Sequence, residues 1–115
     1  MIYLADTAEV SLGSISVACY KPRAGCEKAL IELVRNHLPP LRAEGLVTDR
    51  ASIVMRAADG TIIEVFEWVS QEAIAGAHHN AAVIDLWKRF EAVCTYEIPS
   101  NIPEFQNMFA HFEPV

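Results

Sequence analysis

The sequence predicts an α+β domain, an antiparallel sheet with helices packed on it. Three observations carry this. Short runs rich in β-branched residues alternate with longer stretches whose apolar residues recur every three or four positions. An Asp-Gly pair between two of the short runs signals a hairpin, and so antiparallel neighbours. At 115 residues the chain forms one domain, 1–115, with no repeat, low-complexity tract or linker to divide it.

The elements follow in order. Ser14 to Lys21 sets Ile15, Val17 and Cys19 against Ser16, Ala18 and Tyr20, the two-residue period of a strand. Pro22 ends it. From Cys26 the apolar stripe falls at Cys26, Leu30, Leu33, Val34, Leu38 and Leu41, with His37 as its polar member. Pro39-Pro40 must interrupt that helix, because proline removes donors and clashes one turn back. A second short piece restarts with proline in its first turn and stops at Gly45. Ala51–Ala57 and Thr61–Val69 are strands joined across Ala58-Asp59-Gly60. Ser70 caps a helix from Gln71, with Glu72 in the first turn where the dipole favours a carboxylate. Its apolar face runs Ile74, Ala77, Val83, Leu86, Trp87, Phe90, Val93, and the phase shift predicts a kink at Asn80. Cys94 to Ile98 is the last strand, closed by Pro99. Phe105, Met108, Phe109 and Phe112 recur at helical spacing, so residues 99–115 read as a helical extension beyond a core of about 14–98.

Strand, helix, hairpin, helix, strand is the βαββαβ order of a ferredoxin-like domain. Both parities of the middle strands are apolar: Ile53, Met55 and Val54; Ile62, Phe66, Trp68 and Ile63, Val65. A sheet wetted on one side shows cleaner alternation. The second face is therefore expected to be covered, most simply by the same face of another copy in a homodimer. The apolar content of 52%, above the usual 45–50%, points the same way: to a partner subunit or a ligand cavity.

Composition also excludes. A net charge of −6 with scattered Lys and Arg disfavours nucleic acid and anionic membranes. Met1 to Gly13 carries Asp6 and Glu9 and no basic stretch, so it does not read as an export signal. No apolar run reaches the roughly 20 residues of a membrane span. Cys19, Cys26 and Cys94 are odd in number, lack CxxC spacing and lie in apolar patterns. Three reduced thiols in cytoplasm are the expectation. Nucleotide-binding glycine motifs, metalloprotease motifs and nucleophile elbows are missing, and no cofactor is expected.

The stretch Glu64-Val65-Phe66-Glu67-Trp68-Val69-Ser70, followed by Glu72-Ala73-Ile74 and Ala77-His78, resembles the dimeric α/β-barrel superfamily, and within it the antibiotic-biosynthesis-monooxygenase-like domains. The likeness lies in a strand ending in an acidic and aromatic segment, then a helix carrying a histidine. It spans about Ser14 to Ile98. It implies cofactor-free oxidation of a polyphenol or quinol, or a member with another role. The family's helix histidine stands nine residues after the strand tryptophan; position 77 here is alanine, and His78 matches with a one-residue offset. The haem-degrading members' constellation is absent, with Ala77 and Trp87 at the corresponding positions.

His78 follows Ile74 by one turn, so it is expected on the buried face as the catalytic base. Histidine exchanges protons near neutral pH, and an ionised electron-rich ring can pass an electron to dioxygen directly. The competing reading is a packed histidine bonded to a carbonyl. His79 should point outward, and the adjacent pair with His111 makes a poor metal set. His37 reads as capping or packing. Trp68, Phe66, Tyr20, Trp87 and Phe90, with Met55 as an adaptable wall, are the expected lining of an aromatic pocket, or simply core. Arg56 is expected to pair with Glu64 or Glu67 across the hairpin. A non-catalytic small-molecule binder and a structural or regulatory dimer stand as the alternatives to an enzyme.

Overall fold

The computed structural model describes residues 13–115; the reading of Met1 to Gly13 lies almost wholly outside them. Strand β1 spans Ser14–Pro22, helix α1 Glu27–Arg35, α2 Leu38–Ala43, β2 Ile53–Arg56 and β3 Ile62–Trp68. Helices α3, Gln71–Ala77, and α4, Ala81–Val93, then lead to β4, Cys94–Glu97. With a short strand β5, Glu113–Pro114, the sheet is antiparallel in the order β4-β1-β3-β2-β5. Its first four strands have the order that a split βαβ arrangement produces, so the α+β fold is broadly ferredoxin-like. The fifth strand adds to the edge of β2.

Local chemistry explains the breaks. In the hairpin, Gly60 takes φ 93°, which glycine adopts without a Cβ clash. The backbone N–H of Ala57 donates to Thr61 O, and Asp59 Oδ1 accepts from the Thr61 N–H. Gly45, at φ 72°, ends α2. Ser70 Oγ accepts from Ala73 N–H as the cap of α3. The kink expected at Asn80 is a full break, because Asn80 Oδ1 accepts from both Ala82 and Val83 N–H and starts a new helix.

Alternation divides the sheet into two faces. Ala18, Tyr20, Val54, Ile62, Phe66 and Trp68 pack against Leu30, Val34, Leu38, Leu41, Val83, Leu86 and Phe90 from the helices. On the other face Cys19, Ile63, Met55 and Val65 meet Ile102 and Phe112 from the C-terminal segment. That segment departs from the expected helix. It forms two short 3₁₀ turns, Pro99–Asn101 and Pro103–Gln106, then β5, leaving Met108 and Phe109 exposed. Pro99 and Pro103 each open a turn, and docking Ile102 and Phe112 decides the path. The second sheet face is thus covered in part by the chain itself. Ile15, Val17 and Ile53 remain exposed on it. Among the described residues no helix is long and apolar enough to cross a membrane.

Candidate active site

Between the sheet and the helices lies a cavity of about 230 Å³. Strand β1 lends it Ser16, Ala18 and Tyr20, β3 lends Phe66 and Trp68, and β4 lends Tyr96. Helices supply Ile74, Trp87 and Phe90, and His37 enters from the bend between α1 and α2. The strand residues share parity, so one face of the sheet makes one wall. Of the expected lining, Trp68, Phe66, Tyr20, Trp87 and Phe90 are brought together here. Tyr20 stacks on Phe90 at 4.9 Å between centroids, and Phe66 lies tilted against Trp68 at 5.4 Å.

Met55 is not in this wall. Strand alternation turns it to the opposite face with Ile63 and Ile102, and its neighbour Val54 faces the helices instead. His78 also departs from expectation. Helix α3 ends at the buried Ala77, and His78 is its exposed C-cap, its ring edge-on to Trp87 with 5.2 Å between centroids. It does not line the cavity. Ala77 is the residue of this turn that faces the core, Ile74 is only half-buried, and the helix ends before His78. His79 is exposed. Arg56 pairs with Glu113 rather than with Glu64 or Glu67. Glu67 is taken by Arg50 and Thr48, which hold its carboxyl below the usual range.

Behind the cavity wall, Glu64 joins two of its lining residues, Tyr20 and His37. Glu64 on β3 is fully buried, with 0% of its surface exposed. The Tyr20 hydroxyl donates to its Oε1 at 2.8 Å. His37 Nδ1 lies 2.9 Å from Oε1 and 3.2 Å from Oε2. Register explains the gathering: Glu64 faces Ala18 on β1 and Val54 on β2, so it stands mid-sheet with small or modest neighbours. The Leu38–Ala43 restart places His37 directly over it. His37 occupies the cap position of α2 but makes no capping bond with its side chain, which corrects the capping reading. Its ring is instead wedged edge-on against Phe66 and Phe90 at 5.6 and 5.0 Å.

Burying a carboxylate costs several kcal/mol unless it is paired and hydrogen-bonded. Both conditions are met here. Burial first, then the charge of Glu64 and the hydrogen bond to it, push the Tyr20 hydroxyl well above the ordinary phenol range, so it stays a donor. With Nδ1–H directed at the carboxylate, it is Nε2 that carries the lone pair whenever the imidazole is neutral. Nε2 makes no hydrogen bond to another described residue and is not among the enclosed, unpartnered polar atoms. A carboxylate holding Nδ1 while Nε2 stays free is the arrangement of a general base. At the rim, burial pushes the Tyr96 hydroxyl up to about 12. Farther along the wall, Trp68 Nε1 donates to Ser16 Oγ at 3.0 Å.

The signal that would have found this pair was Glu64 itself, an acid inside the apolar run Ile62 to Trp68 on the parity of Phe66 and Trp68. His37 carried the same mark on the helical stripe. Among the described residues, no group of three His, Cys, Asp or Glu side chains converges as a metal set, and the three cysteines are free. No protein-family model matches the chain, and no curated protein matches it.

Proposed function

We propose that this domain binds a small aromatic molecule with an ionisable hydroxyl and deprotonates it with His37, held by Glu64. The observation that carries the reading is that His37 and Tyr20, in the wall of a largely aromatic cavity, are joined by the buried Glu64 behind them. A plain apolar core gains nothing from a buried acid, since an apolar side chain of similar volume is often as stable or more so. The reaction such ionisation opens is oxidation of the electron-rich ring by dioxygen without a cofactor. This agrees with the resemblance to monooxygenase-like dimeric α/β barrels, with His37 rather than His78 as the base. Oxygen uptake with a panel of quinols tests it. His37→Ala should abolish uptake, and Glu64→Gln should lower it by about 10²-fold or more, in line with the loss of a positioned base. No uptake by the parent on any quinol would remove the enzyme reading.

A non-catalytic binding role is the second reading, favoured by the aromatic lining itself. Trp68 and Trp87 both line the cavity, so quenching of their fluorescence by phenols without oxygen uptake would mark a binder.

The bare part of the sheet supports the homodimer. Val17, Val65 and Ile53 are cross-strand neighbours on β1, β3 and β2, and Ile15 extends their row. A second copy laid on this face would remove them from water. Light scattering should return about twice the chain mass of 12.7 kDa; a stable monomer at micromolar concentration would refute the dimer.

A further inference from the structure

The cavity has a second polar end. Ser16 lies on the same face of β1 as Ala18, and Ala18 is the register partner of Glu64. Same-face neighbours on a strand are about 7 Å apart, so Ser16 stands one same-face step along β1 from the row of the buried acid. Its Oγ accepts from Trp68 Nε1, which orients the hydroxyl. Its own proton goes to no acceptor among the described residues, and Ser16 lines the cavity. Between the two ends the wall is aromatic: Phe66 faces Ser16 across the strand pair, and His37 packs edge-on to Phe66.

Size narrows the ligand. An apolar cavity of about 150 Å³ is enough for benzene, while drug-sized ligands occupy roughly 300–1,000 Å³. The 230 Å³ available here accommodates one six-membered ring with small substituents.

We propose that Ser16 is a specificity-determining residue that selects single-ring phenols carrying a hydrogen-bond acceptor opposite the ionisable hydroxyl. This rests on the reading of His37 as the group that takes the hydroxyl proton. The ring lies between Phe66, Trp87 and Phe90, its hydroxyl donates to His37 Nε2, and the acceptor on the opposite carbon receives the Ser16 hydroxyl proton. A substituent at the neighbouring or next carbon points the acceptor away from the Ser16 hydroxyl.

The test compares phenol, hydroquinone, resorcinol and catechol by anaerobic titration calorimetry with the full chain. Hydroquinone should bind about tenfold more tightly than the other three, the worth of one well-placed hydrogen bond. Ser16→Ala should remove that preference while leaving phenol affinity within about threefold, and Ser16→Thr, which keeps the hydroxyl, should restore it. Phenol provides the control for damage to the fold, because it makes no contact that depends on the Ser16 proton. Equal binding of phenol and hydroquinone to the parent, or a preference that survives Ser16→Ala, overturns the role of Ser16 and leaves the His37 site standing. Failure of every ring to bind overturns both.

Discussion

The two faces of the sheet are made by alternate residues of the same strands, yet they solve different problems. On the helix side, Glu64 brings a charge into a sealed core and must be met there by His37 and Tyr20. On the other side its neighbour Ile63, equally buried, needs only the apolar cover of Ile102 from the C-terminal segment. Burial alone does not identify a site. The helix side gathers polar atoms with specified partners around a cavity, whereas the far side gathers shape and leaves part of its apolar surface open. Hydrophobic packing is non-directional, and hydrogen-bonded charge is not.

This contrast can be broken most directly at Glu64. Glu64→Ala deletes the acceptor of two buried donors and should cost about 3–5 kcal/mol in urea unfolding. A cost below about 1 kcal/mol would mean that the cluster is not a buried, mutually dependent unit. Next comes the far side. Ile102→Ala should cost about 2–4 kcal/mol as a large-to-small core change and should uncover Cys19. Burial, and then Glu97, push that thiol up, so it should react slowly in the parent and markedly faster in the variant at the same pH. Thiol labelling followed over time reads this, with half-exposed Cys26 reacting first in both proteins. The smallest effect belongs to the bare strip. Ile53→Lys, at a residue 60% exposed, should change the stability of the isolated chain by no more than about 0.5 kcal/mol. It should nevertheless convert the expected dimer to monomer in light scattering, because an unpaired ammonium would be buried at the contact. A dimer unaffected by this change would move the contact elsewhere.

Much of the fold was legible. The alternation of Ser14–Lys21, the Ala58-Asp59-Gly60 turn, the Ser70 cap and the Pro39-Pro40 interruption each act through neighbours a few residues away, so a local pattern suffices. The aromatic lining was legible for the same reason, since Phe66 and Trp68 share a parity. The two errors have separate origins. Phasing His78 by Ile74 and Ala77 carried the helix one residue past Ala77, where α3 ends and its buried face with it. Met55 was placed in the cavity on chemical type, although its parity sends it to the other face.

By itself the sequence determined the periods, the breaks and hence the α+β order, because those follow from sterics and hydrogen bonding within short segments of chain. Tertiary structure alone decided which acid meets which base. Glu64 and His37 are 27 residues apart, and their contact depends on strand register, on the bend before Pro39 and on the docking of α1 and α2. It also decided the path of the C-terminal aromatics, whose helical spacing lost to the burial of Ile102 and Phe112 on the sheet. A periodic pattern states which residues can share a face. Only packing selects the face opposite.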